Sequence, residues 1–167
     1  PANCFLGAPG KSSVAITDKS GGSSDQLQWK WQKGDATVLA DYGDALSDDT
    51  RYEVCVYDGS GGPLLDAAIA GGGTCSGKPC WKAAGTTGFK YGNKTGVGSH
   101  GITALQLKAG IAGKSQVQVK GKGSLLAPPN PSLVLPVTVQ LLVDDGNTVK
   151  CWQSTFTSAT KNDGEQF

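Results

Sequence analysis

Hydrophobic and polar residues alternate with period two along several short stretches, the mark of half-buried strands rather than helices. The longest stretch is Val137–Phe156, where Val137, Val139, Leu141 and Val143 share one side and Thr138 and Gln140 the other. Asp144-Asp145-Gly146-Asn147 then supplies residues that tolerate a left-handed backbone, and a second β-rich run follows from Thr148 to Phe156. This pattern predicts a hairpin. Arg51–Ile69 has the same plan: Tyr52, Val54 and Val56 alternate, Asp58-Gly59 opens a turn, and a strand returns. Gln26–Gln32 alternates most cleanly, with Leu27, Trp29 and Trp31 set against Gln26, Gln28, Lys30 and Gln32. Shorter strands are predicted over Ser13–Thr17 and Thr37–Ala40. The alternation assigns Leu27, Trp29, Trp31, Val54, Val56, Leu105, Leu107, Val117, Val119, Val139, Leu141 and Val143 to one shared core. A Trp→Ala change in such a core costs about 3–5 kcal/mol.

The order of features repeats along the chain. Asn93-Lys94-Thr95-Gly96 echoes Asp18-Lys19-Ser20-Gly21, and Leu105 and Leu107 echo Trp29 and Trp31. Val117 and Val119 match the Val38 strand, and the second hairpin matches the first. Either half alone has too few strands to bury its own face. The fold expected is therefore all-β: an antiparallel β-sandwich of two internally duplicated halves, 13–73 and 81–160, in a single domain spanning 13–160. Gly71-Gly72-Gly73 separates the halves. An extended N-terminal arm occupies 1–12 and a C-terminal tail 161–167. Between the halves' last strands lies Leu125–Pro136, whose four prolines remove ladder donors and mark a crossover or an edge. Its Leu133, Val134 and Leu135 read either as part of a lid over the core or as a docking strip for another subunit.

Composition agrees with this class. The 167 residues suffice for a real core, and 25 Gly and 8 Pro favour short strands and many turns. A net charge of +1 predicts no strong overall field, so nucleic acid is not an expected partner. No apolar run approaches the roughly 18 residues needed to cross a bilayer, so membrane insertion is not expected either. The absence of Met and the start at Pro1-Ala2-Asn3 suggest a chain processed by removal of an export signal.

The cysteines, Cys4, Cys55, Cys75, Cys80 and Cys151, form no CxxC and no paired Cys/His set, which argues against zinc and haem. Disulfides in an extracellular or cell-surface protein are the better reading. Cys75–Cys80 is favoured because Gly77 and Pro79 can bend the spacer between them. Cys55–Cys151 is the second choice, joining the equivalent hairpins of the two halves. That choice leaves Cys4 on the arm.

The runs CVYDGSGG (55–62), GGTCSGKPCWK (72–82), LKAGIAGKSQVQVKGKG (107–123), PVTVQLLVDDG (136–146) and CWQSTF (151–156) resemble an uncharacterised group of exported bacterial β-rich proteins. The likeness covers most of 16–160, and the Cys4 arm lies outside it. The resemblance implies export and a β fold, and it implies no activity.

Candidate chemistry is sparse. The single histidine, His100, sits in a Gly-rich GVGSHG loop, and no Ser lies in a GxSxG setting. Most acids fall in turns, where Asp is favoured by local hydrogen bonding. Asp41, Asp44, Asp48 and Asp49 gather oxygen ligands of the kind calcium takes, though in no EF-hand spacing. Trp29 and Trp31 share one strand face about 6.6–7 Å apart, as in a sugar platform, but Leu27 shares that face and burial explains it. Trp81 and Trp152 each follow a cysteine and are the better platform candidates if exposed. Asn93-Lys94-Thr95 is a glycosylation sequon.

The expectation is a protein without enzymatic activity and without cofactors: an extracellular structural or assembly subunit, of a surface filament or matrix, with a carbohydrate-binding or adhesion module as the alternative. Its partners would be other copies of itself, another extracellular protein, or a glycan. The residues expected to make contacts are Cys4, Phe5 and Leu6 on the arm and Leu133, Val134 and Leu135 on the proline-rich strip. The arm completes a sheet edge, either in a neighbouring subunit or in its own domain.

Overall fold

The computed structural model describes residues 3–19, 21–47 and 49–167. Period-two alternation resolves into two sheets packed face to face. The first has five strands in the order β1 (Phe5–Leu6), β13 (Val149–Phe156), β12 (Val137–Asp144), β4 (Arg51–Tyr57) and β5 (Pro63–Ala70). The second has six: β2 (Ser13–Thr17), β3 (Gln26–Gly34), β11 (Ser115–Lys122), β10 (Ile102–Lys108), β9 (Gly88–Gly92) and β8 (Trp81–Ala83). A separate two-stranded hairpin joins β6 (Thr74–Cys75) to β7 (Lys78–Pro79). Every pairing is antiparallel except that of β1 with β13.

All the core residues assigned from alternation are at most 2% exposed and belong to one cluster fed by both sheets. A buried indole usually finds a partner for its N–H; among the described residues Trp29, Trp81 and Trp152 do so, and the Trp31 N–H does not. Trp29 donates to Ser154 Oγ at 3.1 Å, a bond that spans the two sheets, and Trp81 donates to the Ala70 carbonyl at 2.8 Å. Trp152 stacks on Phe5 at 5.0 Å and on Tyr42 at 4.7 Å between ring centroids. Trp31 lies against Gly34 so closely that a Cβ there would collide with its six-membered ring.

Thr37–Ala40 is not a strand. Thr37 makes a single bridge to Gly110, Val38 is exposed, and Leu39–Tyr42 forms a 3-10 turn whose first N–H group, that of Val38, donates to Asp41 Oδ2 at 2.7 Å. With that strand absent, Val117 and Val119 have no Val38 strand to match. Four consecutive strands of each sheet, β13-β12-β4-β5 and β2-β3-β11-β10, are centred on the antiparallel pairs β12/β4 and β3/β11. Trp31 and Trp29 on β3 pair across from Val117 and Val119 on β11, which pair in turn with Leu107 and Leu105 on β10.

The proline-rich segment 125–136 carries the chain from the six-stranded sheet to the five-stranded one. Leu126 and Leu133 are buried, while Val134 and Leu135 remain exposed beside the β4–β5 turn, where Gly59 N–H donates to the Val134 carbonyl at 2.7 Å. The arm docks on its own domain: Phe5 pairs with Trp152 and Leu6 with Gln153, extending the five-stranded sheet in cis. Leu6 N–H also donates to Asp35 Oδ2 at 2.7 Å. The tail does the same for the other sheet, with Phe167 and Ile16 exchanging backbone bonds of 2.9 and 2.7 Å along the outer side of β2.

Cys75 and Cys80 are bridged. Cys55–Cys151 is not formed, because β4 and β13 flank β12 on opposite sides and so lie two strand spacings, about 10 Å, apart. A disulfide needs Cα atoms within about 7 Å. The second bridge is Cys4–Cys151, with Cα atoms 4.6 Å apart because the arm runs beside β13. Cys4 is thus spent within the chain, and Cys55 is the free, buried thiol.

A bridge spanning 147 residues of sequence constrains the unfolded chain heavily. Replacing both partners, Cys4→Ala with Cys151→Ala, is expected to lower unfolding free energy by about 2–4 kcal/mol, read from urea midpoints. The same change at Cys75 and Cys80 should cost much less. Equal losses at the two bridges would contradict the assignment.

Candidate functional site

Between Asp66 and Asp144 the chain contains no carboxylate, yet it carries eight lysines: Lys78, Lys82, Lys90, Lys94, Lys108, Lys114, Lys120 and Lys122. The near-neutral total conceals this asymmetry, since every acid lies at or before Asp66 or at or after Asp144. The acid-free interval builds β6 to β11 and so contributes four of the six strands of the larger sheet.

Strand alternation decides where those lysines point. Trp81, Phe89, Tyr91, Leu105, Leu107, Val117 and Val119 face the core, so Lys82, Lys90, Gln106, Lys108, Gln116, Gln118 and Lys120 face out. On β3 the outward positions are Gln26, Gln28, Lys30 and Gln32. Register then aligns one straight row across six strands: Lys82 opposite Lys90, Lys90 opposite Gln106, Gln106 opposite Gln118, Gln118 opposite Lys30, and Lys30 opposite Ser13. Flanking rows add Lys108, Gln116 and Gln32 on one side and Lys120 with Gln28 on the other. No carboxylate stands in any of these rows. Among the described residues the ion pairs are Arg51–Glu53, Lys150–Asp41 and Lys161–Asp163, and none involves a lysine of this face.

Like charges directly opposite on neighbouring strands destabilise a sheet, by roughly 0.2–1 kcal/mol. Lys82 and Lys90 carry that cost without a neighbouring acid to offset it. Nothing in the packing requires either side chain to be charged.

At the β8 end of the row the disulfide-closed β6–β7 hairpin overhangs the sheet and leaves a cleft of about 410 Å³. Lys78, Lys82, Lys90 and Lys94 line it together with Ser76, Tyr91, Asn93 and Thr103. Lys94 is presented by a loop that Asn93 holds together. The Asn93 amide nitrogen reaches the Val97 carbonyl at 2.8 Å, Tyr91 Oη at 3.1 Å and Ser99 Oγ at 3.2 Å, and its Oδ1 accepts from the Thr95 hydroxyl at 2.9 Å. That use leaves the sequon asparagine only 4% exposed, with its amide committed inside the fold.

The other residues singled out in sequence fall elsewhere. All four tryptophans are at most 2% exposed, so none offers a flat sugar platform. His100 lies at positive φ in an exposed loop and shares a cavity with Asp49, Thr50 and Arg51 but with no serine or cysteine. Asp41 is paired with Lys150 and accepts the Val38 N–H; Asp44 Oδ1 accepts the Leu46 N–H at 3.0 Å; Asp48 lies outside the described residues. Asp41 and Asp44 are thus engaged in local structure.

A further cluster, Glu53, Cys55 and Asp66, lies on the outer face of the smaller sheet, with its ligand atoms within 4.8 Å of one another. Register sets it, since Cys55 pairs directly with Asp66. Arg51 pairs with Glu53 at 3.4 Å. Burial, with Asp66 beside it, raises Glu53 above the ordinary carboxylate range. Burial also pushes the Cys55 thiol up to about 11.

The lysine face was missed from sequence because the interval without acids was averaged into the total charge. Its signal was present: an unbroken run from residue 67 to residue 143 without Asp or Glu.

Burial and a raised pKa make Cys55 inert. In native protein at about pH 8, a thiol reagent should modify no cysteine, and unfolding without reductant should release one. Stability should hold below about pH 9, the ordinary thiol value, and decline as pH climbs through about 11. Burial raises the Tyr42 and Tyr52 phenols as well, so they act in the same direction. A urea midpoint that rises over that interval would contradict this.

Compared with known proteins, the chain matches no family model, no curated sequence and no solved structure.

Proposed function

We propose that the protein is a non-enzymatic extracellular adhesion module that holds an anionic polymer against the outer face of its six-stranded sheet. The observation that carries this reading is the cross-strand row of Lys and Gln, ending at the opposed Lys82 and Lys90, with no carboxylate in it. Exposed cations kept together against their mutual repulsion gain most when a polyanion replaces their counterions. Each contact is individually weak in water and screened by salt. A row of them on a rigid sheet acts on one chain at once, so avidity supplies the affinity. Two disulfides suit a non-reducing, extracellular setting. Export by a removed signal belongs to this reading, as does the absence of catalysis. The likeness to exported β-rich proteins in the CVYDG and CWQSTF runs points the same way.

Self-association is a second reading, with one observation in its favour. The outer edge of β5 has no backbone partner among the described residues, whereas the arm and the tail cover the edges at the other side of the sandwich. Exposed Val134 and Leu135 lie beside the turn where β5 begins. The trans-docked arm no longer contributes, because Cys4, Phe5 and Leu6 are engaged in cis.

Retention on immobilised dextran sulfate tests the leading reading. Wild-type protein should be retained at low salt and released as salt rises. Lys82→Gln with Lys90→Gln should weaken binding by about tenfold or more, equivalent to the loss of two charged contacts, without loss of thermal stability. Arg51→Gln with Lys150→Gln, which changes charge equally but on the smaller sheet, should have little effect. No retention of wild type, or equal losses in both variants, would overturn the proposal.

A further inference from the structure

We propose that the polymer is a linear acidic polysaccharide whose chain crosses the strands along the Lys82–Lys90–Gln106–Gln118–Lys30 row, with one end reaching the cleft beside the Cys75–Cys80 bridge. The inference rests on the anionic-polymer reading and names its ligand class. Three features of the face select it.

The first is chemistry. Phosphate and sulfate oxygens only accept hydrogen bonds, and lysine ammonium groups satisfy them. Gln106 and Gln118, placed between the lysines, each offer both a donor pair and an acceptor. A ligand that uses such a row fully must present acceptor charges and also hydroxyls that donate. Sugar acids do so along their whole length, whereas a phosphodiester backbone or a sulfated surface does not.

The second is spacing. Each step along the row is one strand spacing, about 4.7–4.9 Å, comparable with the length of one pyranose ring. Successive sugars then meet successive strands: Lys82, Lys90, Gln106, Gln118 and Lys30 in turn. The flanking Lys120 and Lys108 lie one row to either side, within reach of carboxylates that point off the chain axis.

The third is what the face lacks. Proteins that hold single-stranded nucleic acid stack its bases on aromatic side chains. Here the aromatics of the larger sheet, Trp29, Trp31, Trp81, Phe89 and Tyr91, all point into the core. Insertion into a lipid surface needs exposed apolar or aromatic side chains on the docking face. The rows here carry only Lys, Gln and small residues.

The experiment compares probes on wild type and two double variants, all bearing surface changes that leave the fold intact. Wild-type protein is titrated with polygalacturonate, with dextran sulfate, with single-stranded DNA, and with vesicles of phosphatidylcholine and phosphatidylglycerol at about 150 mM salt. Polygalacturonate is expected to bind most tightly for equal charge. Gln106→Ala with Gln118→Ala should weaken polygalacturonate about fivefold to tenfold, the loss expected from one or two hydrogen bonds, and leave dextran sulfate within about twofold. Lys82→Gln with Lys90→Gln should weaken both. If DNA or vesicles bind as tightly as polygalacturonate, or if the glutamine variant loses nothing, the polysaccharide assignment fails while the anionic-polymer reading stands. If wild type binds none of the probes, both fail.

Discussion

Alternation on β3 and β11 binds the core to the outer face. Trp29 and Trp31 point inward against Val119 and Val117, and the same backbone turns Gln28, Lys30, Gln118 and Lys120 outward in register. A slip of one residue between these central strands would exchange the two sets, sending indoles to water and lysines into the core. No such slip is affordable, because the Trp29 indole is anchored across the sandwich to Ser154 on β13. The position of every outward lysine and glutamine is therefore fixed by hydrophobic residues that never touch a ligand. Core and candidate site are two sides of one constraint.

Closure of the sandwich depends on Trp152. Its ring stacks on Phe5 from the arm and on Tyr42 from the 3-10 turn, its N–H reaches Thr37 Oγ1 at 3.4 Å, and its neighbour Cys151 bridges to Cys4. The arm, which has no strand partner nearby in sequence, thus gains a parallel pairing, an aromatic stack and a covalent tie at one place. Ordering its residues costs on the order of 1–2 kcal/mol each, and these contacts offset that cost. With the tail laid along β2, both sheets are capped on the same side of the molecule. Among the described residues the β5 edge is a long one without a backbone partner, protected in part by Pro63 at its start.

Much of the fold was legible in sequence because strict alternation over seven or more residues has few competing explanations. Gln26 to Gln32 is of that kind, and Val137 to Val143 departs from it only at Leu142. Thr37–Ala40 was not, because Val38, Leu39 and Ala40 run together without alternation, and the Asp41 carboxylate offers the Val38 N–H a local partner that favours a turn. The Cys55–Cys151 expectation failed for a topological reason. Cys55 and Cys151 do not become neighbours when the β4–β5 and β12–β13 hairpins lie side by side in one sheet, because β12 separates β13 from β4. Cys4 had no pattern around it to announce its place. The lysine row required two facts at once: the acid-free interval, which sequence shows, and the register of six strands drawn from two separated segments, 13–34 and 81–122, which it does not.

The most direct test of the central claim is a map of contacts rather than an affinity. Backbone and side-chain amide resonances of the isotopically labelled protein are followed by NMR while polygalacturonate is added. The account predicts that shifts concentrate on Lys82, Lys90, Gln106, Gln118 and Lys30, including the two glutamine side-chain amides, and spare the outer face of the smaller sheet around Glu53 and Asp66. Shifts centred on that smaller sheet, on the β5 edge or on the His100 loop, with the lysine row silent, would contradict it.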